Sequence, residues 1–134
     1  MESTSTDGPS KHAPSRLTSF LAKAAAEALE NSRFDGDSID TSRAGICLGS
    51  LASSNSKLLE MMHESQASNY KNINRLSMLQ VLNNIPAGTL NVKHKFRGPS
   101  MTVGTACASG LSALVEAVKW IRLDEADFVV TGAA

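Results

Sequence analysis

The chain has 134 residues, which is the length of one ordinary domain, and 42% of them are hydrophobic, enough to form a core. Lysine plus arginine and aspartate plus glutamate each number 13, so the formal net charge is zero. This balance argues against nucleic acid or an anionic membrane surface as an obligate partner, and no apolar run reaches the length of a membrane span.

The start of the chain predicts a lead-in segment rather than part of the folded domain. Residues 1–14 are rich in Ser, Thr, Pro and Gly, and we expect them to be disordered. No apolar segment follows a basic start, as it does in a secretory signal, and Glu2 and Asp7 are unusual for a mitochondrial presequence. We therefore expect a cytoplasmic location, or a mitochondrial one if the start of the chain is truncated.

The sequence indicates neither a cofactor nor a metal ion. Gly45 and Gly49 are not followed by the Gly-Lys-Ser/Thr of a phosphate loop, and the GxGxxG motif of dinucleotide-binding proteins does not occur. The histidines His12, His63 and His94 are too scattered to form a metal site. The two cysteines form neither a disulfide framework nor a metal-binding pattern, which fits a reducing compartment.

The first half of the chain predicts a helix, a buried strand and a second helix. Ser15 is a plausible N-cap for a helix that ends near Asn31, and Phe34–Asp37 is a predicted turn. The predicted apolar side of this helix consists of Leu17, Phe20, Leu21, Ala24, Ala28 and Leu29. The short apolar run around Cys47 predicts a buried strand in which this cysteine fills the core. A short helix is predicted from Ser56 to Glu64, followed by a polar loop over residues 66–74.

A third helix is predicted after residue 84, where Asn84 is a candidate cap and Pro86 lies in the first turn. Its basic end, Lys93-His94-Lys95, suits the negative end of the helix dipole. The turn that follows leads into a strand, which the β-branched residues from Thr102 to Thr105 indicate.

The most informative residue of the sequence is Cys107, which lies among small residues between that strand and a fourth helix. A sharp bend from strand to helix exposes the residue at the bend and directs the unpaired N–H groups of the helix start towards it. Such a position favours the thiolate form of a cysteine, and the same N–H groups can stabilise negative charge on a carbonyl oxygen. The pattern predicts a nucleophile elbow with sulfur in place of a serine hydroxyl. The alternative is a small, buried, unreactive cysteine.

The fourth helix and the last strand complete the predicted α/β fold. The helix has a wide apolar face, for which we expect burial, made of Leu111, Leu114, Val115, Val118 and Ile121. Trp120 is expected to pack at the end of this helix, and Phe128–Thr131 is typical of an interior parallel strand. Strand, helix and strand between residues 100 and 131 imply a right-handed parallel crossover.

Three blocks of the sequence resemble the β-ketoacyl-acyl-carrier-protein synthases, and among these the chain-elongating type. They are Phe96–Ser100, Thr105–Gly110 and the stretch from Asp124 to Gly132. In that family the cysteine of the T-A-C-x-S/T-G motif accepts the acyl group, which carries over to Cys107 as nucleophile, with its own backbone N–H as an oxyanion donor. The resemblance implies a thiolase-like fold, with residues 15–134 as an incomplete N-terminal half built of a mixed sheet covered by helices.

The resemblance also implies a reaction and partners. The family carries out a decarboxylative condensation of an acyl thioester with malonyl-acyl-carrier protein in fatty acid biosynthesis, so the implied partner is the acyl-carrier protein in its acyl- and malonyl-loaded forms. A homodimer is implied through strand 100–106. Leu82 lies near the family's acyl-pocket gate, with an ordinary core residue as the alternative. A contact of Lys93–Lys95 with the acidic carrier protein is less favoured than a solvated helix end.

Several features of the family have no counterpart in the sequence. The family's two catalytic histidines and its lysine come from its second half, well downstream of the cysteine, whereas His12, His63 and His94 lie upstream of Cys107. The first strand, normally before the helix that begins near Ser15, is also missing, which predicts an unpaired sheet edge. We therefore expect a fragment that becomes acylated at Cys107 without completing the condensation.

Two other hypotheses remain open at the level of sequence. One is the ketosynthase domain of a polyketide synthase, although that group usually has an aspartate where Gly104 precedes the T-A-C motif. The other is a non-catalytic module that pairs with a full-length synthase.

Overall fold

The computed structural model describes residues 14–36, 39–51, 55–67, 79 and 81–134. The helices in these ranges are α1 (Arg16–Asn31), α2 (Asn55–Ala67), α3 (Ile85–His94) and α4 (Ser109–Arg122), and the strands are β1 (Ala44–Gly49), β2 (Ser100–Val103) and β3 (Phe128–Ala133). Their order along the chain is the predicted one. Residues 1–13 of the predicted lead-in and residues 68–74 of the predicted loop lie outside the described ranges.

The sheet places the first strand of the sequence in its centre. The order is β2-β1-β3, and both pairings are parallel, so Cys47 lies opposite Met101 on one side and Thr131 on the other. The crossover through α4 therefore joins two strands that flank β1 instead of pairing with each other. All six residues of β1 are buried, as expected for an apolar strand with neighbours on both sides. No antiparallel strand, which a mixed sheet would contain, occurs among the described residues.

Two hydrophobic clusters cover the two faces of the sheet. On one face, Ile46 and Leu48 of β1 pack with residues of α1 and α3. On the other face, Cys47 packs with small residues of α4 and with Trp120. Because successive side chains of a strand point to opposite faces, the strand contributes to both clusters in alternation. The predictions of a core role for Cys47 and a packing role for Trp120 are confirmed.

Helix α1 begins as predicted but buries a narrower face than expected. The Ser15 hydroxyl accepts a hydrogen bond from the Thr18 backbone N–H at 3.2 Å, which satisfies one donor of the first turn. Its buried residues are Thr18, Leu21, Ala25 and Leu29. The expected burial of Phe20 is wrong, since 61% of its surface is exposed, and Ala24 and Ala28 are exposed as well. Thr18 can be buried because its hydroxyl hydrogen-bonds that of Ser15 at 2.9 Å.

The expected burial of the large apolar residues of α4 is also wrong. The face that packs on the sheet contains Ser109, Ala113, Ala117 and Trp120. The large side chains lie on the other side, with exposed fractions from 41% to 67%, at Leu111, Leu114, Val115, Val118 and Ile121. Small residues allow the helix to approach the sheet closely. The face of α4 with the smaller side chains therefore forms the contact, and the face with the larger apolar side chains does not.

The predicted strand over residues 100–106 is too long. Strand β2 ends at Val103, because the Thr105 backbone N–H donates to the Ser109 hydroxyl at 3.0 Å and the chain turns there.

An ionic cluster joins the starts of β1 and β3. The Arg43 guanidinium donates to both carboxylate oxygens of Asp127, at 2.8 and 2.7 Å, and to Asp124 at 2.5 Å. The Asp127 backbone N–H in turn donates to the Arg43 carbonyl oxygen at 2.9 Å. The hydrogen bond from Arg43 holds the pKa of the Asp127 carboxyl below its usual range. Two segments more than eighty positions apart in sequence are thus fixed side by side.

Candidate active site

Cys107 lies at the bend between β2 and α4. It is the middle residue of a single 3₁₀ turn, Ala106–Ala108, which follows the carboxyl end of β2 and precedes the first residue of α4. The cysteine is exposed and not part of a disulfide bond. The predicted bend between strand and helix is therefore present, and the alternative that Cys107 is buried is wrong.

The backbone of this bend has a conformation that few residue types adopt readily. Ala106 has a φ of 50°, in the left-handed region that is unfavourable for residues with a Cβ atom. The turn is closed by two hydrogen bonds, from Ala108 N–H to the Thr105 carbonyl oxygen at 3.0 Å and from Ser109 N–H to that of Ala106. Neither of these bonds uses the N–H of Cys107.

The side chain of Ser109 reinforces the bend. Its hydroxyl donates to the Ala106 carbonyl oxygen at 2.6 Å and accepts from the Thr105 backbone N–H at 3.0 Å. The residue is buried, with 5% of its surface exposed. The sequence alone predicted no role for Ser109. The available signal was a hydroxyl residue at a helix start, which commonly bonds to nearby backbone groups.

The start of α4 rests directly on the end of β1. A Cβ atom added to Gly49 would lie 2.5 Å from the backbone carbon and oxygen of Ser109. Only glycine at this position permits the observed approach of strand and helix. The sequence alone did not predict this role of Gly49, because a contact between residues sixty positions apart leaves no local pattern.

The electrostatic surroundings of the bend favour an anion. The first turn of α4 contains no acidic residue, and no side chain caps it. The free N–H groups and the positive end of the helix dipole are therefore not neutralised by a neighbouring carboxylate of this turn.

The second cysteine is buried, whereas the first is exposed. Cys47 has no exposed surface and lies in the central strand. Burial, followed by the nearby charge of Glu116, raises the pKa of the Cys47 thiol to about 11. A thiol in that environment stays protonated and out of reach of substrates.

The other residues singled out in the sequence lie near the two ends of α3. Leu82 lies in the turn before α3 with 49% of its surface exposed, so the alternative of a core residue is wrong for it. Lys93 and Lys95 are exposed at the end of α3, as a solvated helix end requires. His94 is half-buried against Phe96, and its burial lowers the pKa of its imidazole.

The remaining histidines are His63 and His12. His63 is exposed on α2, and His12 lies outside the described ranges. Over the part of the chain that the structure covers, no three His, Cys, Asp or Glu residues form a group that could hold a metal ion. No helix in the described ranges is long and apolar enough to cross a membrane.

The sequence matches a known family along almost its whole length. Residues 5–134 match the family model described as β-ketoacyl synthase, N-terminal domain. The chain is 30% identical over 120 residues to the putative mitochondrial 3-oxoacyl-[acyl-carrier-protein] synthase of Schizosaccharomyces pombe, covering 87% of this chain and 28% of that protein. It is 28% identical over 109 residues to 3-oxoacyl-[acyl-carrier-protein] synthase 2 of Vibrio cholerae, covering 81% of this chain and 26% of that protein.

Polyketide synthases are also among the relatives. The lovastatin diketide synthase mokB of Monascus pilosus is 40% identical over 94 residues, which are 65% of this chain and 4% of that protein.

Solved ketosynthase structures share the fold. A type II polyketide ketosynthase in complex with its acyl-carrier protein superimposes with a TM-score of 0.84 at 21% identity, over 90% of this chain and 35% of that one. A β-ketoacyl synthase of Burkholderia phymatum gives a TM-score of 0.75 at 23% identity, over 98% of this chain and 33% of that one. The predicted thiolase-like α/β fold is thereby confirmed. The chain spans about a third or less of the length of these proteins.

Proposed function

The chain belongs to the β-ketoacyl synthase family, within its N-terminal domain, and we propose that it provides the acyl-accepting cysteine of a 3-oxoacyl-acyl-carrier-protein synthase of fatty acid biosynthesis. The observation that carries this proposal is the position of Cys107. This cysteine is exposed in the turn between a parallel strand and the start of a fourteen-residue helix that has no acid in its first turn. The family as a whole consists of condensing enzymes of the acyltransferase type.

The first half-reaction follows from the chemistry of this sulfur. The Cys107 thiolate attacks the carbonyl carbon of an acyl thioester, and a bond forms between Sγ and that carbon. The tetrahedral intermediate then expels the thiol of the carrier, which takes up a proton equivalent to the one that Cys107 lost. Sulfur suits both directions of this exchange, because a thiolate is a strong nucleophile and also a good leaving group.

The backbone N–H of Cys107 is our candidate for one oxyanion donor. It belongs to the reacting residue itself, and neither hydrogen bond of the surrounding turn uses it. A donor that is fixed before the reaction stabilises the developing negative charge without reorganisation in the transition state.

The second half-reaction requires groups in addition to the Cys107 sulfur and its backbone N–H. Loss of carbon dioxide from a malonyl thioester leaves an enolate whose charge needs donors close to the acylated sulfur. We propose that residues 15–134 provide acylation only, and that the condensation depends on groups contributed from outside them. Purified chain incubated with malonyl- and acyl-carrier protein should then yield acyl-enzyme but no elongated product, and an elongated product would contradict this division.

The proposed substrate carrier is the acyl-carrier protein, with Leu82 as the gate of the acyl pocket. A solved relative of the fold is titled as a ketosynthase in complex with its acyl-carrier protein.

The half-exposed Leu82 is free of both core clusters, so its side chain has room to change rotamer. Replacing Leu82 with alanine should broaden the range of acyl chain lengths that Cys107 accepts, and an unchanged range would contradict the gating role.

We further propose a homodimer that pairs two copies along β2. The Pro99 carbonyl oxygen accepts from Ile46 N–H of β1, and the Val103 carbonyl oxygen accepts from the N–H of Ser50, directly after β1. Alternate residues of β2 bond to this neighbour, so the backbone groups of Thr102 lie on the open edge. Thr102→Pro should shift the protein from dimer to monomer in light scattering, because proline removes the edge donor. A dimer that persists in this variant would contradict pairing along β2.

A polyketide ketosynthase is the second candidate function. The 40% identity to a lovastatin diketide synthase favours it, although over fewer residues than the match to the yeast synthase. The reaction at Cys107 is the same in both cases, so the carrier protein distinguishes them. Preferential acylation by a fatty-acid carrier protein supports the first candidate, and preferential acylation by a polyketide carrier domain supports the second.

The location in the cell remains a prediction. We expect the cytoplasm, with the mitochondrion as the alternative, since relatives named mitochondrial occur in fission yeast and in Arabidopsis thaliana. A fluorescent fusion of the complete gene product distinguishes the two.

Acylation of the cysteines is the direct test of the proposed function. Purified protein, Cys107→Ala and Cys47→Ala are each incubated with acyl-carrier protein loaded with a fatty acyl group, and the mass of the intact protein is measured. We expect one acyl group on the parent and on Cys47→Ala, and none on Cys107→Ala. Acylation that persists without Cys107 would overturn the proposal, and a parent that stays unacylated would favour the non-catalytic module.

A further inference from the structure

We infer that Ser109 is a positioning residue that orients the Cys107 backbone N–H for oxyanion stabilisation. This inference rests on the proposed function of Cys107, since an oxyanion forms only if that thiolate attacks a carbonyl group. It assigns a role in the reaction to a side chain that does not itself contact the reacting atoms.

The hydrogen bonds of Ser109 fix the direction of one peptide group. The Ala106 carbonyl oxygen accepts both from the hydroxyl of Ser109, at 2.6 Å, and from the backbone N–H of the same residue. It is therefore directed towards the start of α4. Carbonyl and N–H groups of a planar trans peptide point in opposite directions, so the N–H of Cys107, which shares this peptide with Ala106, points away from Ser109.

A second hydrogen bond prevents the bend from relaxing on its other side. The same hydroxyl accepts from the Thr105 backbone N–H at 3.0 Å, so it bridges the residues immediately before the reacting cysteine. Between these contacts lies Ala106, whose φ of 50° is unfavourable for an alanine. Such a conformation persists only where the surrounding contacts hold it.

The burial of Ser109 makes this bridge a rigid one. The residue is 95% buried, and its backbone lies against the end of β1, where only the absence of a side chain at Gly49 leaves room for it. Its hydroxyl therefore cannot turn to water instead of the bend. Without the Ser109 hydroxyl, the Ala106 carbonyl oxygen accepts one hydrogen bond instead of two. The Thr105 backbone N–H also loses this acceptor.

Two reactions of the Cys107 sulfur distinguish a change in the orientation of the backbone N–H from a change in the reactivity of the thiol. Acylation by octanoyl-coenzyme A forms the Sγ–C bond through an oxyanion, breaks the bond between the acyl carbon and the coenzyme sulfur, and returns a proton to the released coenzyme. Alkylation by iodoacetamide displaces iodide in one step and forms no oxyanion. A misdirected N–H slows the first reaction and leaves the second nearly unchanged.

The test measures both rates at Cys107 in the parent, Ser109→Ala, Ser109→Thr and Ser32→Ala. Ser32 is the matched control, because its hydroxyl also donates to a carbonyl oxygen three residues earlier, at 2.8 Å, but at the far end of α1. We expect Ser109→Ala to lower the acylation rate by about ten- to a hundredfold with little change in alkylation. Ser109→Thr keeps the hydroxyl and should react like the parent, as should Ser32→Ala.

Three results would overturn the inference. They are acylation of Ser109→Ala at the parental rate, an equal loss in both reactions, and a folded Ser109→Thr that reacts as slowly as Ser109→Ala. If Ser109→Ala does not fold, Ser109→Gly removes the same hydroxyl with less bulk at a helix start that tolerates glycine.

Failure of the proposed function gives a different result. The parent would then be alkylated at Cys107 but not acylated. Crystal structures of the parent and Ser109→Ala decide the inference in that case. The peptide between Ala106 and Cys107 should be rotated in the variant, and an unchanged peptide plane would overturn the role of Ser109.

Discussion

The contrast between the two cysteines shows how position decides the chemistry of a residue. Cys47 is sealed in the central strand with the pKa of its thiol raised to about 11, whereas Cys107 is exposed before the start of α4. We expect iodoacetamide to modify only Cys107 in the folded protein at about pH 8, because alkylation needs an accessible thiolate. Peptide mass spectrometry locates the label.

Unfolding provides the control for this prediction. In denaturant Cys47 loses its burial, so both cysteines should be labelled at similar rates. Rapid labelling of Cys47 in the folded protein would contradict its place in the core.

Gly49 is a residue whose importance only the structure reveals. A Cβ atom there would lie 2.5 Å from the backbone of Ser109. We expect Gly49→Ala to lower the free energy of unfolding by about 1–3 kcal/mol, the usual range for overpacking, and to slow acylation of Cys107 by displacing the start of α4. Thermal denaturation and acylation rate measure the two effects.

Gly132 offers a matched control on the neighbouring strand. Gly132 lies in β3 and pairs with Leu48 of β1, and a Cβ atom added to Gly132 would have nothing within 4 Å. Gly132→Ala should therefore leave stability and acylation nearly unchanged. Equal effects of the two substitutions would show that the close contact at Gly49 is not the cause.

At the scale of the elements, sequence patterns predicted which segments form but not always which face is buried. The cap at Ser15, the buried strand β1 and the bend at Cys107 each depend on local signals, namely a hydroxyl before a helix, an apolar run and a strand followed by a helix. The buried face of α4 depends on what the rest of the fold presents. Its small residues fit against the sheet, so the stronger apolar pattern indicated the wrong side.

Local sequence patterns also predicted only part of the candidate site. The sequence predicted the position of Cys107 in a bend between a strand and a helix, because its neighbours along the chain mark the bend. It did not predict the support from Gly49 and Ser109, because the first contact joins distant parts of the chain and the second depends on the left-handed conformation of Ala106.

The difference in burial between the two faces of α4 can be tested by substitution. Leu114 is 48% exposed, whereas Ala117, three residues further along the helix, is buried in the core against the sheet. We expect Leu114→Glu to change the free energy of unfolding by no more than about 0.5 kcal/mol, as is usual for surface positions. It should also reduce self-association and binding of the dye ANS, since it interrupts an exposed apolar patch.

Ala117→Glu is the counterpart on the buried face. It places a charge where water is excluded, so we expect loss of the cooperative unfolding transition in thermal denaturation. If Leu114→Glu were the more damaging change, the assignment of the two faces would be reversed.

At the scale of the whole molecule, the ionic cluster of Arg43 holds the neighbouring strands β1 and β3 in register at their amino ends. Because Arg43 keeps the pKa of Asp127 low, the ionised carboxylate stabilises the fold above the pKa that it has in the unfolded chain, about 4. This contribution is lost as the pH falls through the lower value of the folded state. Asp127→Asn should therefore melt a few degrees below the parent at neutral pH, and the difference should shrink below about pH 4.

The matched control for this prediction is Lys119→Gln. It removes an ion pair of similar length, 2.8 Å to Glu116, which lies within one helix and joins no separate segments. A single pair between residues three apart on one helix contributes little, so the melting temperature of Lys119→Gln should stay close to that of the parent at every pH. A deficit of Asp127→Asn that stays constant down to low pH would show that lost packing, and not the charge of Asp127, accounts for the effect. Calorimetric scans of the three proteins across the acidic range therefore decide whether this cluster stabilises the sheet through ionisation.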